Sequence, residues 1–261
     1  MRKAIRETYG SISRDRIATV HGLKIEHIVR LVFVVGRCCN DTFEAMIDIE
    51  NMKYKDMLKV DVVDSYQNLT RKLLHAFKWI NLYCKDVTYV LKADEDVFVN
   101  IGMLLKQLNF EKPYHKGNIF GHIFDTDEHL EVKRTKTKWG VNLMEYPLDR
   151  YPPYAQGTSY TLTKNLIPKI VATSQLLPYL HIEDVFITGI VASKIHGARL
   201  VHLKGTSNWG DRKPVPCQFV DTGRIAQTTM TSRLMYATWE ALQSYNDTCR
   251  ATVQPNVTLN L

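Results

Sequence analysis

Two acidic pairs dominate the chemistry available to this 261-residue chain. The first lies in Val90-Leu91-Lys92-Ala93-Asp94-Glu95-Asp96-Val97-Phe98-Val99-Asn100. Apolar runs on both sides place its acids at or near the end of a buried strand. Residues i and i+2 of an extended chain point the same way, so Asp94 and Asp96 are expected to converge while Glu95 points elsewhere. Converging carboxylates repel unless a cation relieves them, and hard oxygen ligands favour Mn²⁺ or Mg²⁺ shared with phosphate oxygens. A surface turn explains an isolated Asp-x-Asp as simply, but the hydrophobic flanks argue against it here. The second pair lies in Leu180-His181-Ile182-Glu183-Asp184-Val185-Phe186-Ile187-Thr188-Gly189. Acids in a first helical turn satisfy free N–H groups and the helix dipole. Alternatively, one of these carboxylates is a general base that takes a proton from an acceptor hydroxyl.

Two further segments could contact a ligand. Tyr151-Pro152-Pro153-Tyr154, followed by Gly157, combines a rigid backbone with tyrosine faces suited to sugar rings, although core packing explains it equally well. Arg2 and Arg6 stand one helical turn apart in Arg2-Lys3-Ala4-Ile5-Arg6-Glu7 and could face one anion; a solvated helix face is the plain alternative.

These residues need elements to hold them. Short β-branched runs alternate with helical periods, which predicts α/β architecture with a mainly parallel sheet. Strands are expected at 28–36, 57–63, 87–91, 117–124, 157–163 and 199–203. Helices are expected at 43–51, 101–108, 164–173, 184–196 and 232–245. One more should run from an Asp64 N-cap to Tyr83, burying Leu69, Leu73, Ala76, Phe77 and Ile80. The stretch 125–150 is polar and irregular, and its basic cluster Lys133, Arg134, Lys136 and Lys138 reads as a solvated loop. A single domain over 1–261 is expected, with a sheet-rich half to residue 124 and a helix-and-loop half beyond it.

Composition narrows the function classes. With 45% hydrophobic residues the chain can bury a core, so disorder is excluded as the dominant state. The longest aliphatic–aromatic run, Leu31 to Val35, is far short of the roughly 20 residues a membrane helix needs. No secretory signal follows Met1-Arg2-Lys3. A net charge of +7 suits a phosphate-bearing partner, but the basic residues are dispersed and no basic helix marks a nucleic-acid binder. The five cysteines (38, 39, 84, 217 and 249) show no zinc spacing. Sequons at Asn40, Asn68, Asn246 and Asn256 point to a glycosylating compartment, which would permit up to two disulfides. Cys38 and Cys39, being adjacent, are not expected to pair with each other.

In their order, these motifs resemble the β-1,3-galactosyltransferase and β-1,3-N-acetylglucosaminyltransferase group, glycosyltransferase family 31. The resemblance is carried by Arg2-Lys3-Ala4-Ile5-Arg6-Glu7-Thr8-Tyr9-Gly10, Val62 to Lys72, Lys92 to Asn100, the Tyr151 turn with Gly157, and Glu183-Asp184-Val185 with Gly189. It implies a GT-A type nucleotide-sugar-binding fold. It also implies inverting transfer of galactose or an N-acetylhexosamine from a UDP-sugar to a 3-hydroxyl of a glycan, on protein or lipid, in the Golgi lumen. By this resemblance Asp96 is the Mn²⁺ ligand, with Mg²⁺ as the substitute, and Asp94 binds the donor ribose or sugar. Asp184 is the base, while Arg2, Arg6, Asp64, Lys72 and Lys92 line the nucleotide site. Cys217 and Cys249 would pair across the last helix, where the family also has cysteines.

The sequence departs from the family pattern twice. The strand that precedes the arginine motif in the family, with the stem and membrane anchor before it, has no counterpart ahead of Met1, so the sheet is expected to lack its first strand. A full-length form is expected to carry the anchor. The His that the family supplies as a further metal ligand is also missing from Arg224-Ile225-Ala226-Gln227-Thr228-Thr229. These departures motivate an alternative: a non-catalytic relative that binds carbohydrate or a partner.

Overall fold

The computed structural model describes residues 1–14, 18–20, 23–25, 28–38, 40–110, 117–206, 216–221 and 223–243. Cys39, Cys249, Asn246 and Asn256 lie outside them. The helices are α1 (Arg2–Glu7), α2 (Asp41–Tyr54), α3 (Leu69–Tyr83), α4 (Ile101–Phe110), α5 (Asp127–Leu130), α6 (Ile167–Ser174), α7 (Gln218–Asp221) and α8 (Ser232–Gln243). The strands are β1 (Ala18–Val20), β2 (Leu23–Ile25), β3 (Phe33–Arg37), β4 (Met57–Val63), β5 (Tyr89–Ala93), β6 (Phe98–Val99), β7 (Gly117–Phe124), β8 (Tyr154–Thr163), β9 (Ala198–His202) and β10 (Ala226–Gln227). None of these helices is long and apolar enough to cross a membrane.

The chain divides into two compact units that interleave along the sequence. One comprises Met1–Arg30, Asp94–Lys112 and Leu203–Leu261; the other comprises Leu31–Ala93 and Pro113–His202. Both units draw on either side of residue 124.

The first unit contains α1, the antiparallel pairs β1–β2 and β6–β10, and helices α4, α7 and α8. Its core is aromatic. Phe98 lies edge-on to Tyr9 at 5.2 Å and to Phe219 at 5.1 Å, and the Tyr9 hydroxyl donates to the Val97 carbonyl at 3.0 Å. Helix α8 buries Met235, Thr238 and Leu242, the spacing expected of one helical face.

The second unit holds the larger sheets. Strands β3 and β4 pair in parallel across α2, and β5-β8-β7-β9 form a four-stranded mixed sheet. In that sheet β8 runs antiparallel to both neighbours, while β7 and β9 are parallel. The α/β architecture follows the alternation of patterns in the sequence, with β8 as the antiparallel insertion. Phe77, Ile119, Leu162, Leu166, Ile167 and Phe186 are among its fully buried side chains.

Several element boundaries differ from expectation for identifiable reasons. The strand expected from Ile28 begins at Phe33 because its partner begins at Met57; Ile28 is left 74% exposed. Helix α2 starts earlier, at Asp41, because the Asn40 side chain accepts from the Thr42 amide at 2.8 Å. Asp64 does not cap α3. Its carboxylate accepts instead from the Gly36 amide at 2.9 Å and pairs with Lys72 at 2.8 Å, so a short 3₁₀ turn over Tyr66–Asn68 precedes the helix. A Cβ on Gly36 would come within 2.4 Å of the Val62 carbonyl oxygen, so only glycine permits that approach. In the basic loop, Arg134 is a staple rather than a solvated charge, for its guanidinium donates to the carbonyls of Val141, Tyr146 and Leu148.

Phe77 has no exposed surface and sits among the sheet, α6 and the segment after Asp184. Phe77→Ala is expected to cost about 3–5 kcal/mol. Urea denaturation would read this as a lower midpoint, and an unchanged midpoint would contradict the packing described.

Candidate active site

Because β5 and β7 both oppose β8, and β9 follows β7, the carboxyl ends of β5, β7 and β9 share one sheet edge with the start of β8. Open α/β sheets present ligands at such an edge. Lys92 stands near this end of β5, in register with Tyr160 of β8.

The two acids of that second pair have different environments. Glu183 is 7% exposed; its carboxylate lies 3.2 Å from the Lys92 ammonium and accepts from the Tyr160 hydroxyl. Lys92 also donates to the Gly157 carbonyl. Glu183 is therefore committed to internal partners. Asp184 keeps partial exposure and accepts from two backbone amides, Val185 at 2.9 Å and Gly157 at 2.8 Å. Burial and the neighbouring Glu183 charge push its carboxyl up to about 6, against the opposing pull of Lys92 and the two amides. A Cβ on Gly157 would meet the Asp184 Oδ2 at 2.8 Å, so the glycine is what lets β8 approach the carboxylate.

The helix expected after Asp184 is π-helical over Val185–Val191. The Thr188 hydroxyl takes the Asp184 carbonyl at 2.6 Å, competing with the amide of the same residue, and it also accepts from the Ala155 amide at 2.9 Å. This side-chain bond widens the helical ladder and ties it to β8. Tyr151 is a core residue, 7% exposed and packed on Tyr146 at 5.1 Å, so the Tyr151 turn serves packing at its first position.

The first acidic pair adopts a conformation other than the expected one. Asp94 to Val97 forms a turn, closed by the Val97 amide donating to the Asp94 carbonyl at 3.2 Å. Strand parity therefore does not set the directions of Asp94 and Asp96. Asp94 is exposed and Asp96 half-buried, and the fully buried Val97 and Phe98 anchor the turn from behind. The segment in which the family supplies its His runs against this turn: β10 pairs with β6, and the Met230 amide donates to the Asp96 carbonyl at 2.9 Å. Gln227 and two threonines occupy that segment.

Of the expected site residues, Arg2, Arg6, Asp94 and Asp96 belong to the first unit, and Asp64, Lys72, Lys92 and Asp184 to the second. Arg6 is buried and Arg2 half-buried on α1. Asp64 and Lys72 form their own ion pair. Partial burial works against the Asp64 charge, but the bonds from Lys72 and Gly36 outweigh it and hold the carboxyl below its ordinary value. Among the described residues no three His, Cys, Asp or Glu side chains gather as a metal-holding group. What the acidic turn offers is a hard carboxylate oxygen donor on a firmly anchored backbone, a set that fits a divalent cation only when a ligand's phosphate oxygens complete it.

Sequence reasoning passed over Tyr160 and the strut role of Lys92. Their signal was weak, since a tyrosine and a lysine on apolar strands look like packing and solvation until the register pairs them.

Comparison with known proteins identifies the family. The family model described as Galactosyltransferase matches residues 1–202. Beta-1,3-galactosyltransferase 5 of Mus musculus is 30% identical over 248 residues, covering 93% of this chain and 74% of that protein. Its counterpart in Pan paniscus is 28% identical over 245 residues, covering 93% and 76%. Beta-1,3-galactosyltransferase 1 of Mus musculus is 29% identical over 209 residues, covering 80% and 60%. The mixed α/β fold is GT-A-like, and Cys217 is disulfide-bonded, its partner lying outside the described residues. With a base candidate at the sheet edge and the family model spanning most of its length, the chain belongs to the galactosyltransferase family and is a glycosyltransferase.

Proposed function

We propose that the chain transfers galactose from a UDP-sugar to a 3-hydroxyl of a glycan acceptor, forming a β-1,3 linkage with inversion. The observation that carries this reading is Asp184, a half-buried carboxylate fixed by two amides and poised near pH 6. A general base works best when its pKa lies close to the operating pH. Asp184 takes the proton of the acceptor 3-hydroxyl as that oxygen attacks the anomeric carbon. The bond from that carbon to the diphosphate breaks, and UDP leaves with the electron pair. That the similar proteins are beta-1,3-galactosyltransferases favours galactose over an N-acetylhexosamine as the donor sugar.

Donor binding is assigned to Arg2, Arg6, Asp64, Lys72, Lys92 and Asp94. Asp96 is the ligand for Mn²⁺, or Mg²⁺ in its place, which when bound neutralises charge on the departing diphosphate. Lys92 also pairs with Glu183 and through it tunes the base. The sequons and the disulfide at Cys217 support an oxidising, glycosylating compartment, the Golgi lumen. A glycoprotein or glycolipid supplies the acceptor. The non-catalytic alternative is not favoured, since the base and its supporting charges are all present.

Four measurements test the scheme. Asp184→Asn should lower kcat by roughly 10²–10⁴-fold without loss of fold; full activity would overturn the assignment, and NMR of the wild-type product should show a β-1,3 linkage. Activity requires ionised Asp184, so kcat/KM should fall as pH drops through about 6. Glu183→Gln removes the like charge and should move that acidic limb to lower pH. Lys92→Met removes the opposite charge and should move it to higher pH; shifts in one common direction would refute the electrostatic account. Finally, Gly157→Ala should displace the carboxylate and reduce kcat roughly 10²-fold, with circular dichroism unchanged.

A further inference from the structure

A cavity of about 380 Å³ opens in the second unit, lined in part by Asn68, Arg71, Lys138, Glu145, Tyr179 and His181. Its walls are the start of α3, the loop around 137–145 and the segment that leads into Glu183-Asp184. Two cations face it, and both are held by aromatic rings. The Arg71 guanidinium lies over Tyr179 at 4.7 Å. The Lys138 ammonium lies over Tyr66 at 5.1 Å and Trp139 at 4.7 Å. Neither forms an ion pair among the described residues. The one carboxylate in the lining, Glu145, accepts from the Asn142 amide at 3.1 Å and lies 3.9 Å from Nδ1 of His181, another lining residue.

The cavity wall is firm. Tyr179 donates its hydroxyl to the Gln67 carbonyl at 2.5 Å, and buried Thr70 donates to the carbonyls of Leu180 and His181 at 3.0 and 3.2 Å. Asn68 spends its amide on the Val63 carbonyl at 3.0 Å, so the polar groups of this sequon serve the fold. A guanidinium stacked by its face keeps its N–H edge for a planar two-oxygen acceptor. The volume suits a ligand of one or two sugar units. Two cations that form no ion pair among the described residues, each resting on aromatic rings, describe a site for an acidic sugar.

We infer that this cavity binds an anionic saccharide unit, bearing a carboxylate or sulfate, as part of the acceptor glycan. The acceptor role rests on the proposed transfer reaction; the binding itself does not. Arg71 and Lys138 grip the anion, and the segment 179–184 links this grip to the base. A pocket serving the donor nucleotide instead would be emptied by UDP.

The test is binding without donor, by saturation-transfer NMR and calorimetry. The probes are a tetrasaccharide of alternating glucuronate and N-acetylglucosamine, its carboxyl-reduced neutral form and its 6-sulfated form. The acidic probe should bind at least tenfold more tightly than the neutral one, and Arg71→Ala or Lys138→Ala should each remove roughly tenfold of that affinity. A stronger response to the sulfated form assigns the site to sulfate; otherwise the carboxylate is the ligand. Equal binding of acidic and neutral probes, no binding of either, unaltered affinity in both variants, or displacement by UDP would overturn the inference. Both variants should retain transfer to a neutral acceptor. Loss of transfer in the wild type with acidic-probe binding intact would instead count against the proposed reaction alone.

Discussion

Glu183 and Tyr160 are buried against the half-buried Lys92, and none of the three could be there alone. A buried carboxylate is tolerated when a cation and a hydroxyl satisfy it, and a buried ammonium when a carboxylate and a carbonyl do. Lys92 on β5, Tyr160 on β8 and Glu183 after Ile182 meet this condition mutually. The cluster fixes where the next residue, Asp184, must lie. It also sets the field in which Asp184 titrates, a like charge beside it and an opposite charge slightly farther along. The raised Asp184 carboxyl means that the folded state favours its protonated form. Its contribution to stability is complete below the ordinary aspartate range and is lost as pH rises through about 6, where the ionised form that the proposed reaction uses takes over. Stability and proton abstraction therefore pull on this carboxyl in opposite directions.

Strand β8 turns this electrostatic arrangement into a defined geometry. It is the antiparallel member between β5 and β7, so it reaches the functional edge with its first residues rather than its last. Gly157 sits where the strand can donate to the Asp184 carboxylate with nothing intervening, and Ala155 is tied to Thr188. The π-helical stretch and the strand are thus braced by bonds between side chain and backbone at two points around the proposed base. Short contacts of this kind hold the proposed base to within a fraction of an ångström, which chemistry at a single oxygen requires.

The same short segment connects base and cavity. Tyr179 and His181 line the cavity, Thr70 holds the carbonyls between them, and Asp184 follows three residues later. In the cavity the cations rest on aromatic faces, whereas at the base the cation is consumed by Glu183. One region is left able to attract an anion and the other is internally neutralised, although both lie in a chain carrying +7 overall. Local pairing, not net charge, separates their chemistry.

The linear pattern was sufficient for the α/β class, for the extents of β4 and β7, and for the apolar face of α3, because these depend on periodicities of two and 3.6 residues that any neighbour would read the same way. The ordered motifs were sufficient for the family. Periodicity could not tell that Asp94-Glu95-Asp96 forms a turn, since its closure depends on the amide of Val97 and on anchoring by β6. It could not tell that Asp64 would leave α3 for the Gly36 amide, twenty-eight residues upstream. Nor could it separate Glu183 from Asp184: the two are neighbours of similar chemistry, and only the register of β5 on β8 brings a lysine and a tyrosine to one and a glycine amide to the other. Composition and spacing thus determined which groups were present, and tertiary packing decided which remained available to react, because the state of a carboxyl depends on partners that lie far away along the chain.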